Sequence, residues 1–404
     1  MCISRRRHAL RAPGRDILIL LTVLLAAGVV GGPARTLLPV YLEQDLAWGP
    51  PAIAALAAAR LIAGACSAPL GGILSDRAGP RRTLWLGLAG LPLAALVFLT
   101  PAAPVLLLLA LAVGLAEGLQ ATGSQTYLVA RADSATIGVA ASAFFIGGTL
   151  GGALGNLGAG ALLRGAGFPS LGPVGLVVGL LVLGAAAALP GSAPRQGRRQ
   201  AIPIGTLAAY RRLLGIDPVR QLALLRFLST CSWGTVSLLW PLLIARLGHD
   251  PAAAALFGTV SLTLAVAAQL ATGRLIDAIG PGGPAVVLAA LTPPIAGLSA
   301  VAAAVDSAAA LFTVGVLGTA VAWSLSGTTL PLVRVIAPAE QTGQVVGLLH
   351  LLWSLAMLTG TALADGLVIV GMALPFWVVT LLSLPAAIAA HRLWRALRPP
   401  PTSA

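Results

Sequence analysis

The sequence predicts an all-α integral membrane protein, with twelve transmembrane helices in two six-helix pseudo-repeats. Three observations lead there. Of 404 residues, 58% are hydrophobic and only 9% charged, an apolar fraction that no soluble fold buries. Apolar runs of about 20 residues recur along the chain, each long enough to cross roughly 30 Å of hydrocarbon as a helix. A pattern of glycine and aspartate in the first half returns in the second.

Reading from polar break to polar break places the first six spans at 16–42, 52–75, 83–101, 104–130, 137–163 and 171–190. The other six fall at 220–245, 252–276, 284–304, 308–335, 343–364 and 369–391. The start, "MCISRRRHALRAPGRDILILLTVLLAAGVV", has the basic and apolar parts of a secretory signal. Its apolar stretch continues through "TLLPVYL", too long for a signal core, so it reads as a retained first span. The spans define a six-helix half over 1–190, a polar cytoplasmic linker over 191–218 and a second six-helix half over 219–404. Within the linker, "IGTLAAYRRLLG" reads either as a short amphipathic helix on anionic lipid or as topology charge on a floppy connection.

All 25 basic residues are Arg, and the formal net charge is +13. With a cytoplasmic N-terminus, 20 of them fall on cytoplasmic segments, only Arg164 and Arg246 fall on external ones, and Arg35, Arg60 and Arg226 lie within spans. This positive-inside bias places both termini in the cytoplasm, on a multi-pass protein of the cell (inner) membrane. The charge is therefore topological and not a nucleic-acid footprint. Cys2, Cys66 and Cys231 are an odd set with two members inside spans, so they read as small apolar fillers and not as a disulfide framework. His8, His249, His350 and His391 are scattered without metal-ligand spacing, and no metal and no cofactor is expected.

"GGILSDRAGPRR", residues 71 to 82, concentrates charge in a nearly uncharged chain. Gly273, Leu275, Asp277, Gly280 and Pro281 stand 201 residues after Gly72, Leu74, Asp76, Gly79 and Pro80. Leu247 and Pro251 keep the same offset from Leu46 and Pro50, so the chain is a parallel duplication, as in two-half carriers that rock about a midplane site. Gly79 permits a tight reversal, Gly72 lets another helix approach, and Asp76 can cap a helix N-terminus.

The stretch resembles the signature of the major facilitator superfamily, Gly-x-x-x-Asp-Arg-x-Gly-x-Arg-Arg, through Gly72, Asp76, Arg77, Gly79, Arg81 and Arg82. The second copy keeps Gly273, Asp277 and Gly280 without the basic residues. The resemblance implies a loop that grips the start of the eleventh helix, near Thr342 and Gly343, in the outward-facing state and releases it in the inward-facing one. "GGTLGG" at 147–152 resembles in part an element of proton-coupled drug exporters, with Gly148 in place of its proline. The basic residue that such exporters often carry in the fourth helix is absent, its place falling on Gly114. Sugar-phosphate exchangers of the family pair arginines on helices one and seven, whereas Val236 stands 201 residues after Arg35.

Charges inside spans point to function, because each costs about 2.5–3.5 kcal/mol near the midplane. Arg35 and Arg60 share a depth layer about 10–12 Å below the outer surface. Two cations there repel unless an anion visits or they face apart. Glu117, near the middle of the fourth span, is the only acid well inside any span and the expected proton carrier. Arg226 is close to the inner end of the seventh span. His350 is within the eleventh, where a helix-contact role is weighed against a proton relay. Steps of three and four put Glu117, Gln120, Ser124 and Tyr127 on one face, and Ser142, Phe145, Thr149, Gly152 and Asn156 on another. His350 and Ser354 share a face of the eleventh span, as do Arg226 and Trp233 of the seventh. These stripes imply a water-filled substrate cavity with aromatic walls.

The expected function is secondary active transport, not enzymatic: a small organic solute crosses by alternating access, coupled to protons, with export ahead of uptake. The alternatives are an uptake symporter or uniporter for a small organic anion or sugar, a polytopic membrane enzyme, or a channel. The expected partners are a small-molecule substrate, protons and the lipid bilayer, with no nucleic acid, and the chain is expected to act as a monomer.

Overall fold

A computed structural model of the chain describes residues 14–133, 135–191, 207–248 and 251–397. Cys2, His8, His249 and linker residues 192–206 lie outside the described residues. Helix is the only regular structure among those described. Twelve helices are long and apolar enough to cross a membrane. The first half holds α1 (Arg15–Gln44), α2 (Ala52–Ala78), α3 (Pro80–Leu99), α4 (Ala103–Arg131), α5 (Ile137–Ala166) and α6 (Phe168–Ala186). The second holds α7 (Asp217–Gly248), α8 (Leu256–Ile279), α9 (Gly282–Ala304), α10 (Ala308–Ile336), α11 (Thr342–Val368) and α12 (Leu374–Ala396).

Proline and glycine set several boundaries. Gly79, at φ +92°, occupies a left-handed conformation that a side chain would strain. Pro80 follows at the first position of α3, where its missing N–H costs no helical bond, so α3 begins three residues before the apolar run does. Gly280 repeats the turn at φ +85°. Pro92 removes the N–H that would bond Leu88, and α3 breaks at Ala89. The twelfth span differs from the sequence reading: residues 369–373 are apolar but not helical, and α12 starts at Leu374 with Pro375 in its first turn. Hydropathy cannot separate an apolar turn from an apolar helix.

Within the first half α2 packs on α4, α1 on α5 and α3 on α4. In the second, α7 packs on α11, α8 on α10 and α9 on α12. The halves meet through α2 against α11 and α5 against α8. One buried cluster runs across this junction, from Leu24 and Leu128 to Leu330 and Val345. Small residues make the closest helix crossings. A Cβ built on Gly28 would lie 3.0 Å from the Cα of Gly151, so α1 and α5 touch backbone to backbone.

Between the halves, Leu207–Gly215 forms a short linker helix. The reading as a floppy connection is corrected, because this stretch is helical and docks on protein. Leu213 is buried within the junction cluster, the Tyr210 hydroxyl donates to the Pro69 carbonyl of α2 at 2.7 Å, and Arg211 and Arg212 face outward.

Candidate functional site

The duplicated motif builds a pair of crossed contacts at one end of the bundle, called here the motif face. Asp76, at the end of α2, accepts hydrogen bonds from the Gly343 and Gln344 N–H groups at 2.7 and 2.9 Å. These donors belong to the first turn of α11, where backbone N–H groups have no helical partner and the dipole favours an anion. Asp277, at the end of α8, accepts from Gly138 and Val139 at 2.6 and 3.1 Å, in the first turn of α5. Each half thus caps a helix of the other.

Glycines permit the approach. A Cβ on Gly72 would stand 2.9 Å from the Gln344 Cα, and one on Gly273 would stand 2.7 Å from the Gly138 carbonyl oxygen. Ser142 adds a bond to the Gln269 carbonyl at 2.8 Å, and Arg334 donates to the Val129 carbonyl. The motif's other arginines lie differently. Arg81 donates to the Ala187 carbonyl at 2.6 Å inside the first half, while Arg77 and Arg82 are exposed.

Above this closed face lie two adjoining cavities. The larger, about 670 Å³, runs from Gln120 to Leu42 and Ile53 near the opposite end of the bundle. The smaller, about 250 Å³, sits mainly inside the second half. Gln125, Phe145, Trp323, His350 and Trp353 line both.

The larger cavity carries an ion pair. Arg60 Nη2 and Nε reach Glu117 Oε1 and Oε2 at 2.6 and 2.9 Å, and Arg60 Nη1 donates to the Ala34 carbonyl at 3.2 Å. The fork is bidentate, which fixes orientation as well as charge. The Arg60 side chain is 13% exposed and that of Glu117 37%, and both residues line the cavity. The repulsion expected between Arg35 and Arg60 is relieved from within the protein, because the long Arg60 stem carries its head across to the Glu117 carboxylate of α4. Gly114 allows it, since a side chain there would strike the Arg60 carbonyl. Arg35 remains exposed in the larger cavity, folded back so that its Nη2 lies 3.9 Å from a Cβ built on Gly31.

Gln120, Ser124, Thr149 and Ser354 also line the larger cavity, and Arg226 and Trp233 line the smaller. The hydroxyls of Ser124, Thr149 and Ser354 donate to carbonyls of their own helices at 3.2, 3.1 and 3.2 Å. His350 stacks on Trp353, with ring centroids 5.4 Å apart.

Four residues of the expected cavity stripes line neither cavity: Ser142 bonds to Gln269 at the motif face, Gly152 packs on Gly32 of α1, and Tyr127 and Asn156 are also elsewhere. Tyr127 is fully buried in the junction cluster, its hydroxyl bonded to the Pro190 carbonyl at 3.2 Å. Ten residues past Glu117 the helical stripe has rotated roughly 80° away from the cavity. Asn156 lies at the α1–α5 crossing and accepts from Thr36 Oγ1 at 2.6 Å. Sequence reasoning also missed Trp323, Trp353 and Gln125. The available signal was tryptophan deep inside spans, away from the interfacial belt where that residue is usual.

The sequence profile of the Major Facilitator Superfamily matches residues 18–329. No curated protein sequence matches the chain. Among solved structures, the human organic anion transporter MFSD10 (TETRAN) is similar at TM-score 0.76 and 17% identity, covering 94% of this chain and 100% of that one. A bacterial homologue of the iron transporter ferroportin, outward-facing, reaches 0.78 at 15%, covering 95% and 99%. The proton:xylose symporter XylE reaches 0.73 at 17%, covering 95% of each chain. At these identities the likeness is one of fold. With the family profile spanning most of its length, and with two six-helix halves crossed at duplicated aspartates, the chain belongs to the major facilitator superfamily.

Proposed function

We propose that this secondary transporter exports a small organic solute in exchange for protons, and that Glu117 carries the proton. The observation behind the proposal is the Arg60–Glu117 pair on the wall of the larger cavity. The arginine distribution assigns the motif face and both termini to the cytoplasm. On that assignment the two aspartate contacts hold the cytoplasmic side shut, and the state described is outward-facing.

In this state Glu117 is reached from outside. Protonation there neutralises the carboxylate, removes the charge that holds Arg60, and leaves the Ala34 carbonyl as its partner. After the halves rock, the same carboxyl faces the cytoplasm and releases its proton, so proton affinity and access alternate together. Relatives in fold include proton symporters by name, for xylose and for fucose. Export is favoured by the "GGTLGG" element of α5, whose Gly148 lines the larger cavity.

Glu117→Gln in proteoliposomes tests the coupling. Gln keeps the size and hydrogen bonding of the neutral acid but cannot release a proton, so accumulation driven by a pH gradient fails while counterflow persists. Unchanged gradient-driven accumulation would refute the assignment. The direction of wild-type accumulation under the same gradient separates export from uptake.

A further inference from the structure

The smaller cavity joins an uncompensated cation to an aromatic wall. Arg226 of α7 donates from Nη1 to Ser326 Oγ of α10 at 3.3 Å. Among the described residues no acid stands within ion-pair distance of it, and none of the residues lining this cavity is Asp or Glu. Arg60, by contrast, has its carboxylate. The indole N–H of Trp323, which lines the same cavity, is buried without a hydrogen-bond partner. Trp233 meets Trp323 edge to face, with centroids 6.1 Å apart. The hydroxyls of Ser229, Ser232 and Thr292 donate to their own helices, whereas the guanidinium has no acid beside it and the Trp323 indole N–H is unused.

We infer that the smaller cavity binds the substrate as an aromatic organic anion, with its acidic group on Arg226 and its ring against Trp233 and Trp323. A guanidinium taken from water without an acid is unfavourable until an anion arrives. Its planar fork suits a carboxylate or sulfonate, and the indole N–H offers a further donor. A neutral sugar would leave the guanidinium without a counter-charge. The volume of about 250 Å³ suits a small aromatic acid. The inference rests on the transport reading only in calling the ligand a substrate.

Equilibrium binding to the purified full-length protein tests it without any transport step. The probes are 1-naphthoate and its neutral amide, 1-naphthamide, which share a ring system and differ in charge. Titration calorimetry is expected to show 1-naphthoate binding at least about tenfold more tightly to the wild type. Arg226→Gln brings the two within about twofold, and Arg226→Lys keeps a preference for the anion. Trp323→Phe retains the ring, removes the N–H and weakens 1-naphthoate by about tenfold. Should Arg226→Gln fail to fold, the wild-type comparison and Trp323→Phe decide. Equal affinity for the two probes, no binding of 1-naphthoate, or a preference that survives Arg226→Gln would each overturn the site. Failure of proton coupling at Glu117 would appear only in the proteoliposome assay, so the two readings fail separately.

Discussion

Arg60 and Glu117 meet across the α2–α4 crossing by two contacts of 2.6 and 2.9 Å, and Gly114 is the residue that lets the helices come close enough. The pair is the only one in the larger cavity among the described residues. Its two members should therefore be energetically coupled.

Arg60→Gln alone leaves the carboxylate unpaired beside apolar helices. Loss of one partner from a fully buried pair costs about 3–5 kcal/mol, and the partial exposure of the Glu117 side chain lowers that here to roughly 2 kcal/mol. Arg60→Gln with Glu117→Gln removes both charges and should recover part of the loss. Thermal unfolding of the single and double variants measures the cycle, and strict additivity would show that the pair is not coupled.

Asp76 and Asp277 each hold two N–H groups at the start of a helix in the opposite half. Asp76→Asn keeps one acceptor oxygen and loses the charge, weakening the contact by roughly 1–2 kcal/mol, a factor of about 5–30 in the balance between facing states. Turnover in proteoliposomes should fall by a comparable factor with membrane insertion intact. Wild-type turnover in the folded variant would exclude a gating role. Asp277→Asn should act in the same direction, and the double variant more strongly than either.

Gly72 touches backbone rather than flexible side chain, so its surroundings cannot yield to a larger residue. In Gly72→Val the motif face cannot close as it does here. Labels placed on either side of that face should report a longer distance than in the wild type, and an unchanged distance distribution would contradict the packing argument.

Tyr210 ties the linker helix to α2. Burial raises its phenol above the ordinary value, and the nearby Asp76 charge acts in the same direction. A folded-state pKa above the unfolded one contributes stability that is complete below about pH 10 and is lost as pH rises beyond it. Tyr210→Phe should lower stability at neutral pH by about 1 kcal/mol through the lost bond to Pro69, and should flatten the alkaline decline. Unfolding midpoints from pH 8 to pH 11 check both, and an identical alkaline slope in the two proteins would count against this role.

The class, the number of spans, the duplication and the turn at Gly79 were legible in the sequence alone. Each of these depends on local chemistry: apolar length, proline and glycine conformation, and a charge-bearing turn repeated at one offset. The sequence also placed Glu117 at mid-span, because an acid in an apolar run is visible without any neighbour. Which charges meet was decided by tertiary structure. Arg60 finds Glu117 only because α2 crosses α4 at Gly114, while Arg226, alike in sequence terms, faces Ser326 and tryptophan. The same holds for Tyr127, which follows Ser124 on a helical stripe yet points into the core, since a stripe of 3.6-residue period turns away from a cavity over three turns. Depth and periodicity are properties of one helix, whereas ion pairing and cavity walls depend on how two helices cross, and no single segment encodes that crossing.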